Sequence, residues 1–168
     1  MKGGEDKRTL DYCLEECVSF AELQRELERT EVRNRKPIIK GDLNGRVGNN
    51  FKRGYRVLGR YGGEKILNQN GKRVLEFCLE NNLKIGNSFF NHKLIHQITF
   101  EDEGRNVRSI IDYIVYTREL KNIIRDIKVI RGAEISTDHR LLVADTRFKI
   151  RKKARKKIYE TINIEELR

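Results

Sequence analysis

The sequence predicts a mixed α/β domain. Short runs rich in β-branched residues recur along the 168-residue chain, at 37–42, 83–87, 107–116, 124–130 and 141–149. Between them lie stretches with helical periodicity, at 11–33 and 71–81, where apolar residues fall three and four apart. Gly and Asn separate the two kinds of stretch, most densely over 45–70. A chain of this length can bury a real core in one domain.

The first helix is expected to begin at Ser19. Glu22 three residues on completes a capping box, in which hydroxyl and carboxylate each cover a free N–H. Phe20, Leu23 and Leu27 then share one face, with Glu22, Arg25, Glu26 and Arg29 largely outside it. Pro37, the single proline, starts a strand that runs through Ile38 and Ile39 into Gly41-Asp42-Leu43-Asn44-Gly45. A core-held strand ending in polar residues at a glycine turn presents those residues beyond the sheet edge. The same letters also fit a plain hairpin turn, with Asn-Gly at its centre and an Asp capping backbone N–H groups.

Residues 45–70 predict a long loop with little regular structure. It carries Arg46, Lys52, Arg53, Arg56 and Arg60, with Phe51, Tyr55 and Tyr61 among them. Interleaved cations and aromatics suit a nucleic-acid backbone, or simply a solvated loop. Val74, Leu75, Cys78 and Leu79 form the inner face of a helix over 71–81, which Asn81-Asn82 stops. A strand is expected at 97–100, a turn at 101–106, and the strongest strand at 107–116. Asp112 interrupts that last apolar run, and a carboxylate in a strand centre is costly unless it is paired or accessible. A helical turn at 117–123 and strands at 124–130 and 141–149 follow.

Composition narrows the function. Lysine and arginine total 36 against 25 acids, a net charge of +11, which favours a polyanionic partner, most simply nucleic acid. Eight of the eleven residues over 147–157 are basic; such an arm is solvated, binds nucleic acid through residues such as Arg151, Lys152 and Lys153, or serves as a localisation signal. Residues 158–168 read as frayed helix or linker. No run approaches the roughly 20 apolar residues of a spanning helix, and residues 1–10 lack the apolar centre of a secretory signal. The expectation is an intracellular protein, nuclear or cytoplasmic, not secreted and without a membrane. Cys13, Cys17 and Cys78 lack the companions of a zinc site and read as buried thiols in a reducing compartment. His92 and His96 have helical metal spacing without a helix around them, and Gly71-Lys72-Arg73 lacks the rest of a phosphate loop.

Asp42, Asn44, Asp112, Asp138 and His139 form the candidate constellation. Oxygen ligands of this kind suit Mg²⁺, which binds through one or two carboxylates plus substrate phosphate. Phosphodiester hydrolysis needs a positioned water, a base, and positive charge on the developing oxyanion.

Three segments carry a resemblance: Gly41-Asp42-Leu43-Asn44, Ile111-Asp112-Tyr113-Ile114 and Ser136-Thr137-Asp138-His139. In order and spacing they resemble the endonuclease/exonuclease/phosphatase superfamily, and within it the endonuclease domain of LINE-type retrotransposons and the craniofacial development protein 2-like host proteins. The stretches 70–78, 82–90 and 131–134 are similar to that branch, and the likeness spans roughly 12–150. It implies a four-layer αββα sandwich with two mixed sheets. It implies Asp42 as the base, Asn44 orienting water or phosphate, and Asp138 as a metal ligand or an acid that supports the ligands from behind. His139 would meet the scissile phosphate, with Asp112 holding its ring and Thr99 near the phosphate. Mg²⁺ or Mn²⁺ would be the cofactor and DNA the partner. Leu43 stands where the family usually has Phe, and Thr137 where Ser is common.

The family's upstream Asn, its Glu metal ligand and a later Tyr have no counterpart in residues 1–18. The chain therefore resembles the C-terminal part of the domain. The expected division is an N-terminal segment at 1–18, a partial domain at 19–150 and a basic arm at 151–168. Three functions follow: an impaired Mg²⁺-dependent endonuclease, a non-catalytic nucleic-acid-binding fragment, or a phosphomonoesterase of the same superfamily.

Overall fold

The computed structural model describes residues 19–33, 35–50, 56–132 and 137–148, and the backbone of 161–163. Helix α1 spans Phe20–Val32. Its N-cap is Ser19, whose hydroxyl accepts from the Glu22 N–H at 3.3 Å. Strand β1 is Ile38–Asp42. Helix α2 is Gln69–Glu80, two residues earlier than the apolar spacing suggests, because Asn68 caps it and accepts from the Gly71 N–H at 2.7 Å. The remaining strands are β2 (Leu83–Ile85), β3 (Phe100–Asp102), β4 (Val107–Ser109), β5 (Asp112–Thr117), β6 (Ile124–Ile130), β7 (Leu141–Thr146) and β8 (Thr161–Asn163). No helix among the described residues is long and apolar enough to cross a membrane.

The main sheet has the order β2-β5-β1-β8 and is mixed: β5 is antiparallel to β1 and β2, and β8 is parallel to β1. Two hairpins, β3-β4 and β6-β7, complete the strands. Period-two alternation along β5 assigns the layers. Tyr113 and Val115 join Ile39, Leu23, Leu27, Val74 and Cys78 in one apolar cluster, so both helices cover that face. Ile114 and Tyr116 join Leu120, Ile124 and Ile127 in a second cluster, with Leu142 and Ala144 packed against it, so the β6-β7 hairpin covers the other face. The described residues thus form a helix layer, a mixed sheet and a second, two-stranded sheet. That is an α+β arrangement with three layers of the expected αββα sandwich.

Three local expectations need correction. The predicted strand over 107–116 is two strands with a break at Ile110-Ile111. Side chains take over the ladder there: Glu64 Oε2 accepts from the Ile110 N–H at 3.1 Å, and Thr99 Oγ1 accepts from the N–H groups of Ile111 and Asp112 at 3.1 and 3.0 Å. The strand expected at 97–100 lies at Phe100–Asp102 instead, which claims the first two residues of the expected turn, after a 3₁₀ turn at Leu94–His96. Within the segment read as helix or linker at 158–168, Thr161–Asn163 is a strand on β1. A β-branched pair can extend a sheet edge as readily as fray, and only tertiary pairing decides.

The described parts of the 45–70 loop, 45–50 and 56–68, are irregular but tied down. Asn68 and Arg46 exchange bonds at both backbone and side-chain level, and Val47 bridges to Leu67. Arg53 lies outside the described residues, as do Cys13, Cys17, Arg151, Lys152 and Lys153. Cys78 is fully buried, and burial pushes its thiol well above the ordinary range.

His92 and His96 both face β6. His92 Nε2 meets Asp126 Oδ1 at 2.6 Å, and His96 Nδ1 lies 3.3 Å from the Val129 carbonyl. They fasten the loop to the hairpin.

Candidate active site

Asp42 ends β1 and Asp112 begins β5, and the two are paired directly across the antiparallel ladder. Alternation along β5 puts Asp112 on the face shared by Ile114 and Tyr116, the face that looks toward the second sheet. The two carboxylates therefore sit side by side at one end of the main sheet, next to residues 137–140, which lead into β7. That segment delivers His139. Its Nδ1 lies 3.0 and 3.1 Å from the two Asp112 carboxylate oxygens. The carboxylate can only accept, so Nδ1 carries the proton, and Nε2 is the nitrogen directed away from Asp112.

Four supports fix this pair. The Phe100 ring packs edge-on against the His139 imidazole at 5.3 Å, and Phe100 and His139 form a backbone bridge. Thr99 is fully buried, and its hydroxyl holds the start of β5 by accepting from the Ile111 and Asp112 N–H groups. The Thr99 carbonyl accepts from the Arg140 N–H at 2.6 Å, and the Asp138 carbonyl accepts from the Glu101 N–H at 2.9 Å. Asn87 acts as a surrogate strand where β2 stops. Its amide donates to the Asp112 carbonyl and accepts from the Ile114 N–H, each at 3.0 Å.

The turn after Asp42 is equally constrained. Asp42 Oδ1 accepts from the Asn44 N–H at 2.8 Å, an Asx turn, and Asn44 takes a left-handed φ of 49°. The Asn70 amide, at the start of α2, donates to the carbonyls of Leu43 and Asn44 at 2.8 and 2.9 Å. The helix start seats directly on this turn because Gly71 has no side chain: a Cβ there would lie 1.9 Å from the Arg46 carbonyl oxygen. From the far side, the Tyr113 hydroxyl lies 2.7 Å from the Gly45 carbonyl and 2.5 Å from the Ile110 carbonyl. Tyr113→Phe should cost about 1–3 kcal/mol, because a buried carbonyl loses its donor. Chemical denaturation of the two proteins checks this, and an unchanged midpoint would contradict it.

Electrostatics separate the two acids. Burial raises the Asp112 carboxyl above its ordinary value, and the neighbouring Asp42 charge adds to that; Thr99 and His139 oppose the shift. Glu101 is the other buried acid nearby. Burial pushes it up, but Arg108, Arg140 and Arg131 outweigh that and hold it below the usual carboxylate range.

The structure brings Asp42, Asn44, Thr99, Asp112 and His139 to one end of the sheets. Asp138 is exposed, and its carboxylate accepts from the Thr137 hydroxyl at 3.1 Å. Arg46 is turned elsewhere: Glu64 accepts from its Nε at 2.6 Å, so its charge is already neutralised. Sequence reasoning missed Glu101, Asn70, Asn87, Arg108, Arg131 and Arg140. Of these only Asn70, just before Gly71 at a helix start, gave a local signal.

The oxygen donors suit Mg²⁺ in kind. Among the described residues, however, no three Asp, Glu, His or Cys side chains gather into a ligand group. Mg²⁺ accepts one or two carboxylates when substrate phosphate and water complete its shell, so the set fits a weakly held ion that substrate helps to bind.

These residues sit in an α+β fold of the endonuclease type. By sequence, the chain is 33% identical over 113 residues to craniofacial development protein 2 of Bos taurus and 32% identical over 113 residues to that of Tragulus javanicus. Each alignment covers 67% of this chain and 19% of the relative, so the chain spans about a fifth of the length of these proteins. By structure, it matches the endonuclease domain of TRAS1, a telomere-specific non-LTR retrotransposon. The TM-score is 0.51 at 17% identity, over 77% of this chain and 52% of that domain. No protein-family model matches the chain. Sequence and fold together support membership of the endonuclease/exonuclease/phosphatase superfamily, with a LINE-endonuclease-like part of the domain.

Proposed function

We propose that the chain forms part of a Mg²⁺-dependent DNA phosphodiesterase of the LINE-endonuclease kind. The observation that carries this reading is the Asp112–His139 pair, bonded at 3.0 Å next to Asp42 on the neighbouring strand. The TRAS1 domain, by its name an endonuclease, supports it.

In this mechanism Asp42 is the base. Its carboxylate takes a proton from the water that attacks phosphorus, while the Asn44 amide orients that water or a phosphate oxygen. In this role His139 acts as an imidazolium: Asp112 holds its Nδ1–H, and its Nε2–H faces a non-bridging oxygen and stabilises the charge that builds there. The P–O bond opposite the water breaks as the new one forms, and the sugar oxygen leaves with that electron pair and takes a proton from solvent to become a hydroxyl. Asp138 is the oxygen donor that would hold Mg²⁺, which would supply Lewis-acid polarisation of the phosphate. The chain matches only 52% of the TRAS1 endonuclease domain, so the 168-residue polypeptide by itself should nick DNA weakly.

Binding gives the first test. Duplex DNA should bind without strong sequence preference, since the net charge of +11 acts on phosphates rather than bases. Affinity measured by fluorescence anisotropy should fall about 10³-fold or more between 50 and 200 mM salt if six or more phosphates are contacted. Removing 151–168 should flatten that dependence. Affinity that does not change with salt would sink the reading.

A further inference from the structure

Glu101 is 6% exposed and binds three guanidiniums. Arg108 Nε lies 2.6 Å from Oε1, and the Arg140 and Arg131 side chains lie 3.1 and 3.5 Å from Oε2. One acid against three bases leaves two positive charges uncompensated. The cluster is one residue removed from the site, since Phe100 packs on His139 and Arg140 follows it. Arg108 and Arg131 remain 64% and 40% exposed, so each keeps donors toward solvent while Glu101 fixes its position.

Those two arginines border a groove of about 310 Å³. Its apolar lining includes Ile66, Leu94 and Ile95, and Lys65 adds a further cation. The three apolar side chains are 47–52% exposed and lie together on this one concave surface. A concave site with an aliphatic lining and a guanidinium rim matches a ligand with one flat apolar end and one anionic end. A nucleotide has that shape, and in a paired duplex its base is not available. We propose that this groove takes one unpaired nucleotide of the substrate strand, its phosphate on Arg108 and Arg131 and its base over Leu94 and Ile95. The proposal rests on the phosphodiesterase reading and deepens it: the preferred substrate has an unstacked nucleotide beside the cleaved bond.

Anisotropy on the 168-residue chain tests this, with EDTA present to prevent cleavage. The probes are two labelled duplexes, one fully paired and one with a single-nucleotide bulge. The wild type should bind the bulged duplex at least about fivefold more tightly, the lower end of what burying one base contributes. Ile95→Asp should abolish that preference and leave the paired duplex bound. Arg108→Ala/Arg131→Ala should lower the salt slope by about two, one per cation, whereas Arg108→Lys/Arg131→Lys should keep the slope. Equal wild-type affinity for both duplexes, or a preference that survives Ile95→Asp, would overturn the groove assignment and leave the proposed function standing. Failure to bind either duplex at low salt would overturn both.

Discussion

His139→Ala should lower Mg²⁺-dependent nicking by roughly 100- to 1,000-fold, the usual effect of removing one donor to a developing oxyanion. The measurement belongs in a polypeptide that completes the domain, where turnover is large enough to lose. Asp112→Asn should cost nearly as much. The amide carries no charge to stabilise an imidazolium and no longer holds the Nδ1–H, so the ring is no longer kept as an oriented cationic donor toward the phosphate. Two residues that act as one unit do not lose activity additively. The double variant should therefore fall within about threefold of His139→Ala alone, since removing the ring leaves Asp112 nothing to orient. A further hundredfold loss in the double variant would mean that Asp112 works independently of His139, contrary to the 3.0 Å bond between them.

Gly71→Ala should destabilise the fold by on the order of 3 kcal/mol, within the range for forced overpacking. The added methyl would lie 1.9 Å from the Arg46 carbonyl oxygen and 3.0 Å from the Val47 nitrogen, both backbone atoms that no rotamer change can move. Relief requires lifting the first turn of α2 off the loop. That also withdraws the Asn70 amide from the Leu43 and Asn44 carbonyls. For a chain of this size the melting temperature should drop by about 10 °C. Gly104→Ala is the control: its Cβ would meet only Asp102 Oδ1 at 3.4 Å, so stability should stay within about 0.5 kcal/mol. Equal effects at the two glycines would show that α2 is not seated as described.

The elements that the sequence made legible are those with an internal signal. Ser19 with Glu22, Pro37 before two isoleucines, and the Val74, Leu75, Cys78 face each state their structure locally, and α1, β1 and α2 follow. The site was legible for a different reason. Asp112 in an apolar strand is costly unless something pairs it, and His139 is the residue found doing so. What remained hidden depends on distant partners. The break at Ile110-Ile111 exists because Thr99 and Glu64, 12 and 46 residues upstream, capture its N–H groups. The strand at Thr161–Asn163 exists because β1 has an open edge. Arg46 reads as a phosphate contact until Glu64, 18 residues later, is found against it. Glu101 reads as a turn residue in an acidic stretch, and only the fold gathers Arg108, Arg131 and Arg140 around it.

The central claim is that Asp42 and His139, one from each side of the sheet end, act together on one phosphodiester. Supercoiled-plasmid nicking with Mg²⁺ tests it most directly, comparing the 168-residue polypeptide with one that completes the domain, and each of these with its Asp42→Ala and His139→Ala variants. The account predicts weak nicking by the 168-residue polypeptide, robust nicking by the completed domain, and loss of that activity in both variants. Robust nicking that survives either substitution would contradict it.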